Sequence, residues 1–106
     1  DAADLTDVQR LIITAIDIGG GVASLDDIHN FVNKYWATLR KRDGSRYSYD
    51  SRRVVIACLT NTSSLRPLFR RIRERGDVDV DEQSKKAPTA LSKWGFGEHG
   101  EEVKEL

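Results

Sequence analysis

Ser64-Leu-Arg-Pro-Leu-Phe-Arg-Arg-Ile-Arg-Glu-Arg-Gly76 is the stretch on which the fold of this chain turns. Its apolar residues Leu65, Leu68, Phe69 and Ile72 recur at i, i+3, i+4 and i+7, the spacing of one helical face. Arg66, Arg70 and Arg73 recur at i, i+4 and i+7 and fall on another face. Ser64 suits an N-cap, Pro67 lies in the first turn where a missing N–H does little harm, and Gly76 supplies a stop. The spacing predicts an amphipathic helix over 64–75, one side in a core and the other a row of fixed positive charge. Such a helix suits an anionic partner, with nucleic acid the leading candidate.

Upstream of this helix, Thr60-Asn-Thr-Ser63 reads as a turn, and Asp50 caps a helix over 50–60 with Val54, Val55, Cys58 and Leu59 inward. Residues 40–49, RKRDGSRYSY, form a polar basic loop with an Asp43-Gly44 turn. Ser24 opens an earlier helix whose apolar face is Leu25, Ile28, Phe31, Val32, Tyr35, Trp36 and Leu39, with Asp26 and Asp27 where the macrodipole favours them. The first helix starts at a capping box, Thr6 with Gln9, carries Val8, Leu11, Ile12, Ala15 and Ile16 inward, and ends at Gly19-Gly-Gly21. Val22-Ala23 is an apolar link long enough for one β-bridge. Downstream of Gly76, Val78 and Val80 alternate with Asp77, Asp79 and Asp81 as in a short strand. Residues 83–89 read as a loop, and Leu91 to Phe96 as the returning strand, with Leu91 or Trp94 and Phe96 over the core. Residues 97–106 read as a frayed acidic tail. The expected fold is α+β and mostly helical, with about four helices and a C-terminal two-stranded β-hairpin, in a single domain over 1–106 whose core spans about 6–96.

A chain of 106 residues is one domain's worth, large enough for a stable core. The single cysteine, Cys58, excludes an intramolecular disulfide, and no apolar run approaches the ~20 residues of a membrane span. The chain starts at Asp1 without a methionine and is expected to be a piece of a larger protein. Net charge is zero, but its layout is dipolar. Residues 1–39 are net −4, residues 40–75 hold eleven basic and three acidic side chains, and residues 76–106 are net −4. A local basic surface is what an anionic partner meets, so the layout outweighs the sum.

Helix, glycine break, short β link, helix, loop, helix, tight turn, arginine-rich helix and hairpin together resemble a winged helix-turn-helix domain. Leu11-Ile-Ile-Thr-Ala-Ile16 and Ala23-Ser-Leu-Asp-Asp-Ile-His29 resemble the first helix, first strand and second-helix start of its forkhead and linker-histone branches, and Ser92-Lys-Trp-Gly-Phe96 resembles the aromatic strand after the wing. The resemblance spans about residues 6–96 and can be laid on the chain in two registers. In the first, residues 50–60 and 64–75 form the helix-turn-helix, with 64–75 as recognition helix. In the second, forkhead-like, 50–63 is the recognition helix and Phe69 to Arg73 begins a wing strand. The forkhead pattern asks for asparagine followed by an Arg-His pair on that helix, where this chain offers Ala57, Thr60 and Asn61. Phe69 and Ile72 are three apart, which suits a helix, so the first register is preferred.

The resemblance implies a DNA- or chromatin-binding module of a nuclear protein, with Arg66, Arg70 and Arg73 facing duplex DNA and Arg71 flanking. Arg52, Arg53, Arg40, Lys41, Arg42 and Arg46 would meet the neighbouring backbone, and Lys85 and Lys86 would lie at the wing tip. An arginine row without Asn or Gln points to phosphate and shape contacts more than to base reading. The carboxylate-rich strand at Asp77, Asp79, Asp81 and Glu82 would repel phosphates, so the alternative is a protein-interaction module using that acidic wing. No catalytic set, zinc spacing, cofactor or small-molecule substrate is expected. His29 and His99 are far apart, Cys58 reads as a small hydrophobe, Gly19-Gly-Gly21 lacks a phosphate-loop context, and Trp36 and Trp94 read as core.

Overall fold

The computed structural model describes residues 5–41, 43–47, 50–60, 67–72 and 88–104. Local capping fixes the first half. Thr6 Oγ1 accepts from Gln9 N at 3.2 Å while Gln9 Oε1 accepts from Thr6 N at 2.9 Å, which starts α1 (Asp7–Ile18). Val8, Ile12, Ala15 and Ile16 form its buried stripe. Gly20 and Gly21, at φ +81° and +102°, turn the chain into β1 (Val22–Ser24). Ser24 ends the strand and caps α2 (Leu25–Asn33), its Oγ accepting from Asp27 N at 3.1 Å. The helix stops earlier than its apolar face suggests. Bonds from Thr38 N to Tyr35 O and from Leu39 N to Trp36 O tighten residues 36–38 into a 3-10 turn, which carries Leu39 back into the core. Asp50 Oδ1 accepts from Arg53 N at 3.1 Å and opens α3 (Ser51–Thr60), which buries Val55 and Leu59.

The second half departs from the sequence reading. Of the stretch 64–75 the described residues are 67–72, and they are not helical: Phe69–Arg71 is a strand, β2, paired antiparallel with β3 (Lys93–Phe96). β3 also pairs with β1, giving a three-stranded antiparallel sheet in the order β1-β3-β2. The physical reason is visible in the carbonyls a helix would have used. Pro67 O accepts from His99 N at 3.2 Å and Leu68 O from Gly97 N at 2.8 Å, while Ile72 N donates to Lys93 O at 2.8 Å. The backbone is committed to partners distant in sequence, and Phe69 is set opposite Phe96 on the buried side. The strand expected at 78–80 and residues 83–87 of the expected loop lie outside the described residues, 88–89 are irregular as expected, and the returning strand is β3. Trp94 and Phe96 cover the core, and Leu91 is 76% exposed.

Residues 98–103 correct the expectation of a frayed tail. Glu98–Val103 forms a helix, α4, with Val103 buried and the Lys104 Nζ 5.0 Å from the Phe96 ring centroid. Glycines make this docking possible. A Cβ at Gly97 would collide with the Pro67 carbonyl, and one at Gly100 with the Leu68 carbonyl, so the two backbones approach where only hydrogen fits. The described residues thus form an α+β fold of four α-helices and one three-stranded antiparallel sheet. One core joins the buried stripes of α1, α2 and α3 to Ala23, Phe69, Trp94 and Phe96.

Candidate nucleic-acid interface

The basic segment is divided among three structural settings. The first is a tight hairpin before α3. Arg40 and Arg46 form an isolated antiparallel bridge, Lys41 N donates to Ser45 O at 2.8 Å, and Gly44 N donates to Lys41 O at 2.9 Å. Gly44 adopts φ +87°, and Asp43 Oδ1 accepts from both Ser45 N at 2.9 Å and Ser45 Oγ at 2.6 Å. The Ser45 hydroxyl and its amide hold the Asp43 carboxyl below its ordinary value. Arg40, Lys41 and Arg46 are all exposed. Arg46 stands opposite Arg40 in the bridge, but the Arg40 guanidinium is turned back onto the preceding turn, one Nη donating to Ala37 O at 3.2 Å and to Leu39 O at 2.9 Å. The hairpin is anchored beneath: Tyr47 packs on Trp36 with ring centroids 5.1 Å apart, and the Lys41 Nζ stands 6.0 Å from the Tyr47 centroid. Together with Leu5, Thr6 and Asp7 at the start of α1, Arg40, Lys41 and Tyr47 line an open cleft of about 170 Å³.

The second setting is α3. Arg53, Ala57 and Thr60 are exposed and lie at i, i+4 and i+7, so they form one outward face. Thr60 Oγ1 donates back to Ile56 O at 2.8 Å. Arg52 lies to the side and is engaged by Asp26 of α2, with nitrogen and oxygen 3.6 Å apart. The start of α3 is clamped to α2, because the buried Ser51 Oγ is 2.8 Å from His29 Nε2 and donates to Asn33 Oδ1 at 3.1 Å. Burial, and secondarily the nearby Arg52, hold His29 below its ordinary value, against the opposing pull of Asp26 and Asp50. Half-buried His29 is therefore a structural contact between two helices.

The third setting is β2, where the helical arginine row is replaced by strand alternation. Arg70 is exposed opposite Gly95, its Nε donating to Phe96 O at 3.3 Å. Arg71 points to the opposite face of the sheet, where one Nη donates to Ser92 Oγ at 2.9 Å and the guanidinium lies 5.9 Å from the Trp94 centroid. The expected grouping of Arg70 and Arg71 on one recognition helix is thereby corrected, since the strand sends them to different sides. Arg66, Arg73, Arg42, Lys85 and Lys86 lie outside the described residues. The structure brings Arg40, Lys41 and Arg46 together in one hairpin and sets Arg53 on the outer face of the following helix.

Among the described residues, no group of three or more His, Cys, Asp or Glu side chains is arranged to hold a metal ion. Burial pushes the Cys58 thiol up from its ordinary value, in keeping with an inward hydrophobe. No described helix is long and apolar enough to cross a membrane. The Ser51 clamp was not read from sequence, although His29 and Asn33 stand at i and i+4 on α2 and Ser51 follows the Asp50 cap. Compared with known proteins, the chain matches no family model, no curated protein and no solved structure.

Proposed function

We propose that this chain is a winged-helix-like module that binds duplex DNA, as part of a chromatin or transcription complex in the nucleus. The reading follows the forkhead-like register, with α3 as recognition helix and β2–β3 as the stem of a wing. One observation carries it: the outward face of α3, with Arg53 at its head, directly follows an exposed hairpin that holds Arg40, Lys41 and Arg46. A strand over 69–71, paired with β3, is what this register expects after its recognition helix. Arginines fork onto phosphate oxygens or guanine edges. With Ala57 and Thr60 beside Arg53, α3 offers few groups for base edges, so binding is chiefly to backbone and shape.

The test is a titration with a short duplex at two salt concentrations. Affinity should fall with a log–log slope of about −0.9 for each phosphate contacted. Absence of binding at low salt would refute the reading. A second reading, a protein-interaction module, draws on the exposed carboxylates Glu98, Glu101 and Glu102 of α4, a surface that repels phosphates. Partners captured from nuclear extract that survive nuclease treatment favour it, and partners lost with the nucleic acid favour the first.

A further inference from the structure

Ser45 is an exposed residue at the tip of the basic hairpin, its hydroxyl held against the Asp43 carboxylate, and its neighbours Arg40, Lys41, Asp43, Gly44 and Arg46 are all exposed. In sequence it is the only serine or threonine of the chain with arginine at both the third and the fifth place before it, Arg42 and Arg40. Lys41 and Arg46 add two more cations around it. A protein kinase that selects substrates by charge reads such a row through acidic residues of its own substrate groove. Other hydroxyls of the region are less suited. Ser51 is buried under His29 and Asn33, and Thr38 and Thr60 have Tyr35 and Ala57, not arginine, at the third place before them.

We propose that Ser45 is a phosphoacceptor site for a basophilic serine/threonine protein kinase, and that its phosphate unloads the cationic hairpin. The consequence for DNA rests on the function proposed above; the modification itself does not. In the transfer, the bond from the γ-phosphorus of ATP to its bridging oxygen breaks and a bond to Ser45 Oγ forms. ADP leaves, and the hydroxyl proton passes through the kinase's base to solvent. The product carries a charge of about −1.5 to −2 at neutral pH. It arises beside the Asp43 carboxylate, whose Oδ1 is 2.6 Å from Ser45 Oγ before reaction. The hydroxyl donor is lost and two anions meet, so the Asp43 turn opens. The phosphate then draws on Lys41 and Arg46 of the same hairpin and competes with the carbonyls of Ala37 and Leu39 for Arg40.

The experiment incubates the folded protein with ATP and a purified kinase of this class. Intact mass and peptide mapping locate the phosphate, with Ser45→Ala as control. Modified and unmodified protein are then titrated with a short duplex at two salt concentrations. The expected result is one phosphate on Ser45, none on Ser45→Ala, and an affinity lowered at least about tenfold at low salt. The log–log slope should fall by about 2, because the dianion offsets two cations worth about 0.9 each. Phosphate absent from Ser45, or found only elsewhere, overturns the site. Phosphate on Ser45 with unchanged affinity and slope overturns the unloading. Failure of the unmodified protein to bind DNA refutes the proposed function and this consequence together, while the mass spectrum still decides the site.

Discussion

The replacement of a helix by a strand over 69–71 makes a quantitative prediction for four adjacent alanine substitutions. In a helix over 64–75, Phe69 and Ile72 would share the buried face, and Arg70 and Arg71 would both lie outside it. In β2, Phe69 and Arg71 share the inner face, with Arg70 and Ile72 on the other. Phe69 is 5% exposed and stands opposite Phe96, so Phe69→Ala should cost about 3–5 kcal/mol. Arg71→Ala removes a hydrogen bond to Ser92 Oγ, about 0.5–1.5 kcal/mol, and a contact over Trp94, about 0.5–1 kcal/mol. Ile72 is half-buried, its Cδ1 covering Gly95, and Ile72→Ala should cost about 1–2 kcal/mol, below the range for a fully buried residue. Exposed Arg70 loses only its long 3.3 Å bond to Phe96 O and should change by at most about 1 kcal/mol. Guanidinium denaturation followed by circular dichroism measures all four, and heating should show Phe69→Ala lowered by about 12–20 °C, at about 4 °C per kcal/mol. A double-mutant cycle between Arg71 and Ser92 should give a coupling of at least about 0.5 kcal/mol. Equal losses for Phe69 and Ile72, with Arg71 neutral and uncoupled from Ser92, would refute the strand.

Gly100→Ala should cost about 1–3 kcal/mol, because its Cβ would meet the Leu68 carbonyl with backbone on both sides; hydrogen exchange should quicken at Gly97 and His99, whose amides donate to that segment. Folded His29 resists protonation where the unfolded chain accepts it, so its contribution to stability is complete above about pH 6.5 and is lost as pH falls from there toward the lowered folded value. His29→Gln should therefore flatten the dependence of the denaturation midpoint on pH below about 6.5, and an unaltered slope would remove His29 as its source. In DNA titrations, Arg40→Gln with Arg46→Gln should reduce the log–log salt slope by about 2, whereas Arg52→Gln, whose guanidinium faces Asp26, should change it less. Equal changes for the two variants would show that the hairpin holds no privileged contact.

The elements legible in the sequence are those whose signals are local. Thr6 with Gln9, Ser24 with Asp27 and Asp50 with Arg53 each start a helix through bonds spanning three residues, and all three helices stand where those caps put them. The Asp43-Gly44 turn was legible for the same reason. Residues 64–75 misled because the decisive interactions are non-local: β3 lies more than twenty residues on, and the donors to Pro67 and Leu68 come from residues 97 and 99. Gly97 and Gly100 look in sequence like the loosening of a tail. In the fold they are points of close backbone approach, a role that composition does not distinguish. The Ser51 clamp was hidden similarly, its partners His29 and Asn33 lying 22 and 18 residues away.

The change of period also changes what the charge of the segment means. A count over 40–75 treats eleven cations as one surface, but alternation in β2 separates Arg70 from Arg71, and Arg71 is engaged beside Ser92 and Trp94. Arg52 is likewise turned toward Asp26. Exposed Arg70 donates Nε to Phe96 O. The other exposed cations described in that segment lie in its first half, in the 40–46 hairpin and at Arg53, and of these Arg40 donates to Ala37 O and Leu39 O. A hairpin cross-braced by its own backbone bonds holds charge at fixed spacing but offers no rigid array of donors to a base edge. The outward face of α3 gives Arg53 only a methyl and a hydroxyl already donated to Ile56 O as companions. The affinity for a polyanion and the weak reading of its sequence that we propose would thus arise from one arrangement: the charge lies on the turn before the helix, and the described outward face of the helix is nearly bare.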